Sequence, residues 1–195
     1  RAVRCQPGGL GLSAICGWVG DVKSPRDTLD AMLAAVDYRG DRSDVWLGDG
    51  VALGYRFFGE RAHRSPAIYH GPQGRCACAG TLALAKATES PAALLADRLH
   101  AVSTTDVMAA GLADLDGAFG AALWDDATRC LRLIRDPFGV RSLYYVQQDS
   151  TLYFASELKQ LLAIPDLERA LDYSALHKYL TFSFVPGEAV PLRGV

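Results

Sequence analysis

The chain lacks an excess of charge of either sign, because 20 Lys and Arg residues stand against 22 Asp and Glu residues for a formal net charge of −2. Nucleic acids and anionic membranes attract a basic face, so we expect neither as a partner. Long apolar runs are also missing, since no stretch approaches the roughly 20 residues that span a membrane. A signal-peptide pattern is missing too. Together these absences favour a cytoplasmic protein.

The sequence also lacks the His and Cys spacing that is typical of metal sites. The four histidines are scattered, and none forms an HxxxH pair. Cys76 and Cys78 alternate onto one strand face, but no second pair completes a tetrahedral site, so we interpret both as core thiols and predict no metal. The five cysteines cannot all pair, which also favours a reducing compartment. The phosphate-loop pattern GxxxxGK[ST] and the nucleophile-elbow pattern GxSxG do not occur.

What is present is ordinary globular composition, with 50% apolar and 22% charged residues in a chain of 195. This length can bury a real core, and one domain is the default expectation. Residues 1–11, rich in Gly and Pro, predict a flexible lead-in. We expect the domain to span residues 12–170, with residues 171–195 beginning a connection to a following domain. Both ends look cut, as expected for one domain from the front of a longer protein.

Local patterns predict strands in two sets, with helices segregated from them. Ser24 and Asp172 fit helix N-cap positions, and the Asp49-Gly50 pair fits a hairpin turn. This arrangement favours an α+β layered domain. The predicted strands cover residues 12–20, 46–53 (a hairpin), 75–84, 119–124, 130–134, 143–146 and 152–155, and the predicted helices cover residues 25–36, 90–101, 103–115, 156–163 and 172–180.

Three sequence blocks carry a family resemblance. They are LDGAFGAALWD at residues 115–125, RDPFGVRSLYY at 135–145 and FASELKQLL at 154–162. Their order and spacing resemble the N-terminal class II glutamine amidotransferase (glutaminase) domain of the asparagine synthetase family. Weaker similarity reaches back through Arg39-Gly40 to residues 17–20. The resemblance implies an N-terminal-nucleophile hydrolase fold, an αββα sandwich of two antiparallel sheets covered by helices.

The resemblance also implies where a nucleophile would lie. In the family, an N-terminal cysteine attacks the side-chain amide of glutamine, and its own α-amine serves as the base. Alignment on residues 17–20 places Ser13 at the cysteine position, and an alternative register places Cys16 there. A slide of three residues turns a side chain to the other sheet face, so we prefer Ser13. Neither residue has a free α-amine, because a lead-in precedes both.

The family's oxyanion hole combines an Asn side chain with a Gly amide. Here Ala79 occupies the Asn position, and Gly80 keeps a residual oxyanion amide. Loss of one such donor costs on the order of a hundredfold in rate.

The family residues that bind the α-amine and α-carboxylate of glutamine are replaced as well. Thr104 stands where an acid holds the glutamine α-amine, although Asp106 lies two residues on. The arginine that grips the α-carboxylate falls at Phe57, with Arg56 adjacent on the opposite strand face. Arg56, Thr104 and Asp106 are therefore weak substrate-binding candidates.

Four unmet requirements favour a retired glutaminase site, as in members that resemble β-lactam synthetases and lasso-peptide cyclases. We expect a docking and folding platform that fronts an ATP-dependent amide-forming enzyme. The chain itself needs no cofactor in this hypothesis, and ATP and Mg would bind a following synthetase domain or subunit. A homodimer is a further possible assembly. The alternative is an active glutamine-hydrolysing asparagine synthetase or an amidohydrolase matured by cleavage before Ser13 or Cys16.

The block at residues 135–145 has two interpretations that the sequence leaves open. Strand aromatics with an arginine are typical of interface anchors. The same side chains could instead form a scaffold corner and fill the sandwich core. Under the first interpretation, the interface residues are Arg135, Asp136, Arg141, Tyr144 and Tyr145.

Overall fold

The computed structural model describes residues 12–59, 68–82, 90–100, 112–113, 115–187 and 189–195. The predicted lead-in, most of the helix predicted at residues 103–115, and both Thr104 and Asp106 lie outside the described residues.

The described residues form nine strands and four α-helices, with a short 3-10 turn at Asp37–Arg39. The helices are α1 (Pro25–Ala34), α2 (Pro91–His100), α3 (Leu158–Leu161) and α4 (Tyr173–Phe182). The strands are β1 (Ala14–Val19), β2 (Arg42–Gly48), β3 (Val51–Phe57), β4 (Ile68–His70), β5 (Gly74–Leu82), β6 (Gly117–Asp125), β7 (Cys130–Arg135), β8 (Tyr144–Gln148) and β9 (Thr151–Ala155).

All of these strands pair antiparallel in two sheets. The first sheet has the order β2-β3-β1-β9-β8, and the second has the order β4-β5-β6-β7. In the first sheet β1 lies at the centre, because it pairs with β3 on one side and β9 on the other. In the second sheet the longest pairing joins β5 to β6, from Gly74 opposite Asp125 to Leu82 opposite Gly117.

Three apolar cores separate four layers. The core between the sheets joins residues such as Ile15 and Phe154 of the first sheet to Ala77 and Ala122 of the second. A second core packs the outer face of the first sheet against α1 and α3, and a third packs the second sheet against α2. The predicted α+β class, an αββα sandwich of two antiparallel sheets, is therefore confirmed.

The last described residues pack against the rest of the domain. Leu171 bridges Leu192, and the amide of Arg193 donates to the carbonyl of Ala170 at 2.9 Å. Val195 packs against the core between the first sheet and its helices. The predicted boundary after residue 170 stays a prediction. Within the described ranges, no helix combines the length and apolar character that crossing a membrane requires.

Candidate functional site

Ser13 lies where the two sheets meet, directly before β1. Its side chain is on the inner face of the first sheet, and the backbone amide of Gly80 in the second sheet donates to its Oγ at 3.2 Å. Ser13 is only 8% exposed. The residue at the predicted nucleophile position and the residue at the predicted oxyanion position are thus hydrogen-bonded to each other.

Cys16 lies on the opposite face of β1. It is fully buried with Trp18, Leu29 and Met32 in the core against α1. Burial raises the pKa of the Cys16 thiol far above its usual value, so the thiolate is strongly disfavoured. This position corrects the alternative register, because a side chain in that core cannot reach the cavity that Ser13 lines.

Gly80 is glycine for a geometric reason. Its φ is +115°, and a Cβ there would collide with the backbone carbonyl of Ala118 on the neighbouring strand. The close approach aims its N–H at Ser13. Ala79 precedes it and lines the adjacent cavity, where its methyl group offers no hydrogen-bond donor. At this turn, the Gly80 N–H is therefore the donor that the structure directs at Ser13.

A cavity of about 530 Å³ opens beside Ser13. Its walls come from both sheets, from the loop after β7 and from the start of α3. The lining residues are Ser13, Arg39, Ala79, Gly120, Val140, Arg141, Ser142, Tyr144, Ser156, Glu157, Leu158 and Lys159.

Glu157 organises one wall of the cavity. Arg39 donates through Nε to Glu157 Oε1, the Tyr38 hydroxyl donates to Oε2, and Lys159 Nζ lies 3.6 Å from Oε2. Burial raises the pKa of the Glu157 carboxyl, but the bonds from Tyr38 and Arg39 and the charges of Arg39 and Lys159 outweigh it, and the net pKa is lowered. Glu157 is therefore held as a carboxylate.

Asp136 shapes the loop on another side of the cavity. Its carboxylate accepts hydrogen bonds from the amides of Val140 and Arg141, both at 2.9 Å. Arg135 closes the same turn by donating to the carbonyls of Gly139 and Arg141. Asp136 is 3% exposed, so it cannot be an interface residue, which corrects that prediction. It acts as the scaffold of the turn.

The remaining predicted residues divide between the cavity and other places. Arg56 donates to the carbonyl of Gly40 at 2.7 Å and does not line the cavity, and Phe57 stacks near Tyr55. Arg141 and Tyr144 do line it, whereas Tyr145 points to solvent. Among the described residues, no three His, Cys, Asp or Glu side chains lie close enough to hold a metal ion.

The sequence did not predict Glu157, Arg39 and Lys159 as cavity residues. All three fall within segments that carry the family resemblance, which was the available signal. Arg39 and Glu157 are 118 positions apart, however, and local patterns cannot pair residues at that separation.

Structural comparison gives the class of fold. The chain superposes on glutamine phosphoribosylpyrophosphate amidotransferase from B. subtilis, complexed with ADP and GMP, with a TM-score of 0.57. The sequences are 15% identical, and the match covers 77% of this chain and 43% of that chain. The fold is that of the N-terminal-nucleophile hydrolases, as the resemblance predicted.

Sequence comparison gives the family. Residues 99–195 match a family model described as a glutamine amidotransferase domain. Asparagine synthetase [glutamine-hydrolyzing] 3 of Bacillus subtilis is 26% identical over 182 residues, which cover 85% of this chain and 30% of that protein. Asparagine synthetase [glutamine-hydrolyzing] 1 of the same organism is 42% identical over 73 residues, 37% of this chain and 11% of that protein. The chain therefore contains a class II glutamine amidotransferase domain whose homologues are asparagine synthetases, and it spans less than a third of either relative.

Proposed function

We propose that this domain does not hydrolyse glutamine and serves as a docking and folding platform for an ATP-dependent amide-forming enzyme. The two Bacillus subtilis relatives are asparagine synthetases, and the chain corresponds to a minor part of each. In this proposal, a synthetase region beyond the described residues binds ATP and Mg²⁺ and adenylates a carboxylate. The amine that attacks that carboxylate is already part of the substrate, so no ammonia is needed. We place the enzyme in the cytoplasm.

The hydrogen bond from Gly80 to Ser13 carries this proposal. An oxyanion hole needs donors aimed at the oxygen that develops charge in the transition state. Here the Ser13 hydroxyl itself accepts the Gly80 N–H, and Ala79 supplies no second donor. The nitrogen of Ser13 is joined to Leu12 in a peptide bond, so it cannot act as the amine base. Nucleophile activation and oxyanion binding are therefore both compromised.

The second candidate function is an amidohydrolase matured by cleavage before Ser13. Its support is that Ser13 lines the cavity and has a backbone amide within hydrogen-bonding distance. Cleavage there would create the missing α-amine. Cleavage before Cys16 has no such support, because that thiol lies in the core against α1.

Covalent labelling separates the two candidates. The native protein, its Ser13→Ala variant and its Cys130→Ala variant are treated with a diazoketone analogue of glutamine, and intact masses are recorded. Cys130 is an exposed thiol, so its variant controls for surface alkylation. We expect an unprocessed amino terminus and no adduct at Ser13. A stoichiometric adduct that Ser13→Ala abolishes and Cys130→Ala retains would establish the matured hydrolase instead.

A further inference from the structure

The cavity beside Ser13 carries an excess of positive charge. Arg39, Arg141 and Lys159 line it, and Glu157 is the one acidic side chain among its lining residues. A concave surface lined by an excess of cations concentrates the electric field in the cavity and attracts anions. The charge pattern alone therefore indicates an anionic occupant.

The cations on the Glu157 wall are held in place before any ligand arrives. Glu157 fixes Arg39 through its Nε, and Lys159 lies over the Tyr38 ring with Nζ 3.7 Å from the ring centroid. The bond to Glu157 uses the Nε of Arg39, and the guanidinium also carries two terminal amino groups. These two groups form a planar fork of the kind that binds a carboxylate in two parallel bonds. Preorganised donors also reduce the entropy cost of binding.

We propose that this cavity binds a small carboxylate-bearing molecule, with its carboxylate on Arg39 and Lys159. Its volume of about 530 Å³ falls within the range of small-molecule pockets. Ser13, Ser142 and Ser156 also line the cavity, and their hydroxyls can donate to other polar groups of the ligand. The inference goes beyond the proposed function, because it requires only the cavity and its charges.

The proposed carboxylate site differs from the family's glutamine clamp. The resemblance puts that clamp at Phe57, which does not line the cavity. The cations here come instead from the 3-10 turn, from the Asp136 loop and from the start of α3.

A carboxylate fits better than a phosphate for a structural reason. Phosphate sites in proteins commonly use free backbone N–H groups at helix starts and glycine turns. The amide of Glu157 at the start of α3 already donates to Gln160 Oε1 at 3.1 Å, and the Gly80 amide donates to Ser13. Recognition therefore falls to the side-chain cations.

Gly120 provides a way to close the cavity without disturbing these cations. A Cβ at this position would have Ser142 O at 3.7 Å and Leu143 Cβ at 4.0 Å as its nearest neighbours, which is ordinary contact. Gly120→Leu should therefore place its side chain in the cavity and leave the surrounding backbone intact.

Glutarate is a suitable probe, and glutaramide is the control compound, because uncharged amides replace both of its carboxylates. Isothermal titration calorimetry on the native protein should show saturable binding of glutarate and none of glutaramide. Arg39→Gln and Lys159→Gln should each weaken glutarate binding about tenfold or more, because each removes a charge-assisted contact. Gly120→Leu should abolish binding. Arg26→Gln removes an exposed arginine that pairs with Asp30 and does not line the cavity, so this variant should bind as the native protein does.

Three results would overturn the proposal: equal binding of glutarate and glutaramide, no saturable glutarate binding up to about 10 mM, or tighter binding of inorganic phosphate than of glutarate. Because Arg39→Gln leaves Glu157 without its main partner, its fold is checked by circular dichroism. Lys159→Gln and Gly120→Leu decide the matter if that variant is unfolded. Ammonia release from glutamine would contradict the proposed function and leave this inference untouched.

Discussion

Asp136 converts a loop into a rigid platform for an exposed aromatic ring. Its carboxylate and the Arg135 guanidinium satisfy the backbone groups of residues 139–141, so the turn has little freedom. Phe138 projects from this turn and is 88% exposed, and Val140 is 63% exposed. Rigid, exposed apolar side chains are typical anchors of protein interfaces. In the proposed platform, these two residues replace Asp136 as contacts with the synthetase region.

Phe138→Ser tests this residue-scale assignment. Because the ring contributes little to the core, its loss should change the free energy of unfolding by less than about 0.5 kcal/mol. Co-purification of the domain with the synthetase region of the same enzyme should weaken clearly. Phe182→Ser is the matched control, since Phe182 is also an exposed ring but lies on α4. The assignment is wrong if Phe138→Ser unfolds the domain and spares the association.

Single residues differ in how far the sequence could place them. The sequence predicted that Ser13 and Cys16 lie on opposite faces of the first sheet. Side chains alternate along an extended chain, and an odd number of positions separates the two residues. The contacts of Glu157 could not be predicted from the sequence, because Tyr38 and Arg39 meet this residue only after the sheets and α3 have packed. Long-range ion pairs depend on tertiary geometry that no local period encodes.

Two helix starts show how similar local signals lead to different structures. Ser24 and Asp172 both occupy the N-cap positions that the sequence predicted. Asp172 accepts bonds from the amides of Ser174 and Ala175, whereas the Ser24 side chain makes no capping bond. Pro25 follows Ser24, and its missing N–H removes one of the orphan donors at that helix start.

The difference between these caps can be measured. Asp172→Ala should lower the free energy of unfolding by about 1 kcal/mol, because two helical amides lose their acceptor. Ser24→Ala should change it by only a few tenths of a kcal/mol, because no capping bond is lost. Urea denaturation of both variants provides the comparison. Equal losses in the two variants would show that the observed caps do not govern stability.

Elements were predicted well where turn or capping residues bounded an apolar pattern. The strands of the β6–β9 region and helices α1, α2 and α4 appear close to their predicted bounds. The three-residue strand β4 was missed, because Ile68–His70 is too short to show a period. Helix α3 is shorter than predicted, since it covers only Leu158–Leu161. Short elements depend on the neighbours that pair with them.

At the scale of the whole molecule, the four-layer fold creates the site. Ser13 directly precedes β1 of the first sheet and Gly80 lies in the second sheet, so the sandwich must close before the two can meet. The sequence indicated layers of helices and strands, but the pairing of the sheets came from the family resemblance. Composition and periodicity do not determine strand order.

Under the proposed function, restoring one residue should not restore catalysis. Ala79→Asn would add one side-chain donor beside Ser13, whose backbone nitrogen is in a peptide bond with Leu12. Members of one catalytic unit are strongly non-additive, so this change alone should give almost no activity.

Ammonia release from glutamine, measured on the native protein and on Ala79→Asn with a coupled enzyme assay, tests directly whether this domain hydrolyses glutamine. We expect no ammonia above the buffer blank from either protein. Steady, enzyme-dependent ammonia release from the native protein would contradict it, and that release would have to disappear in Ser13→Ala to be assigned to this site.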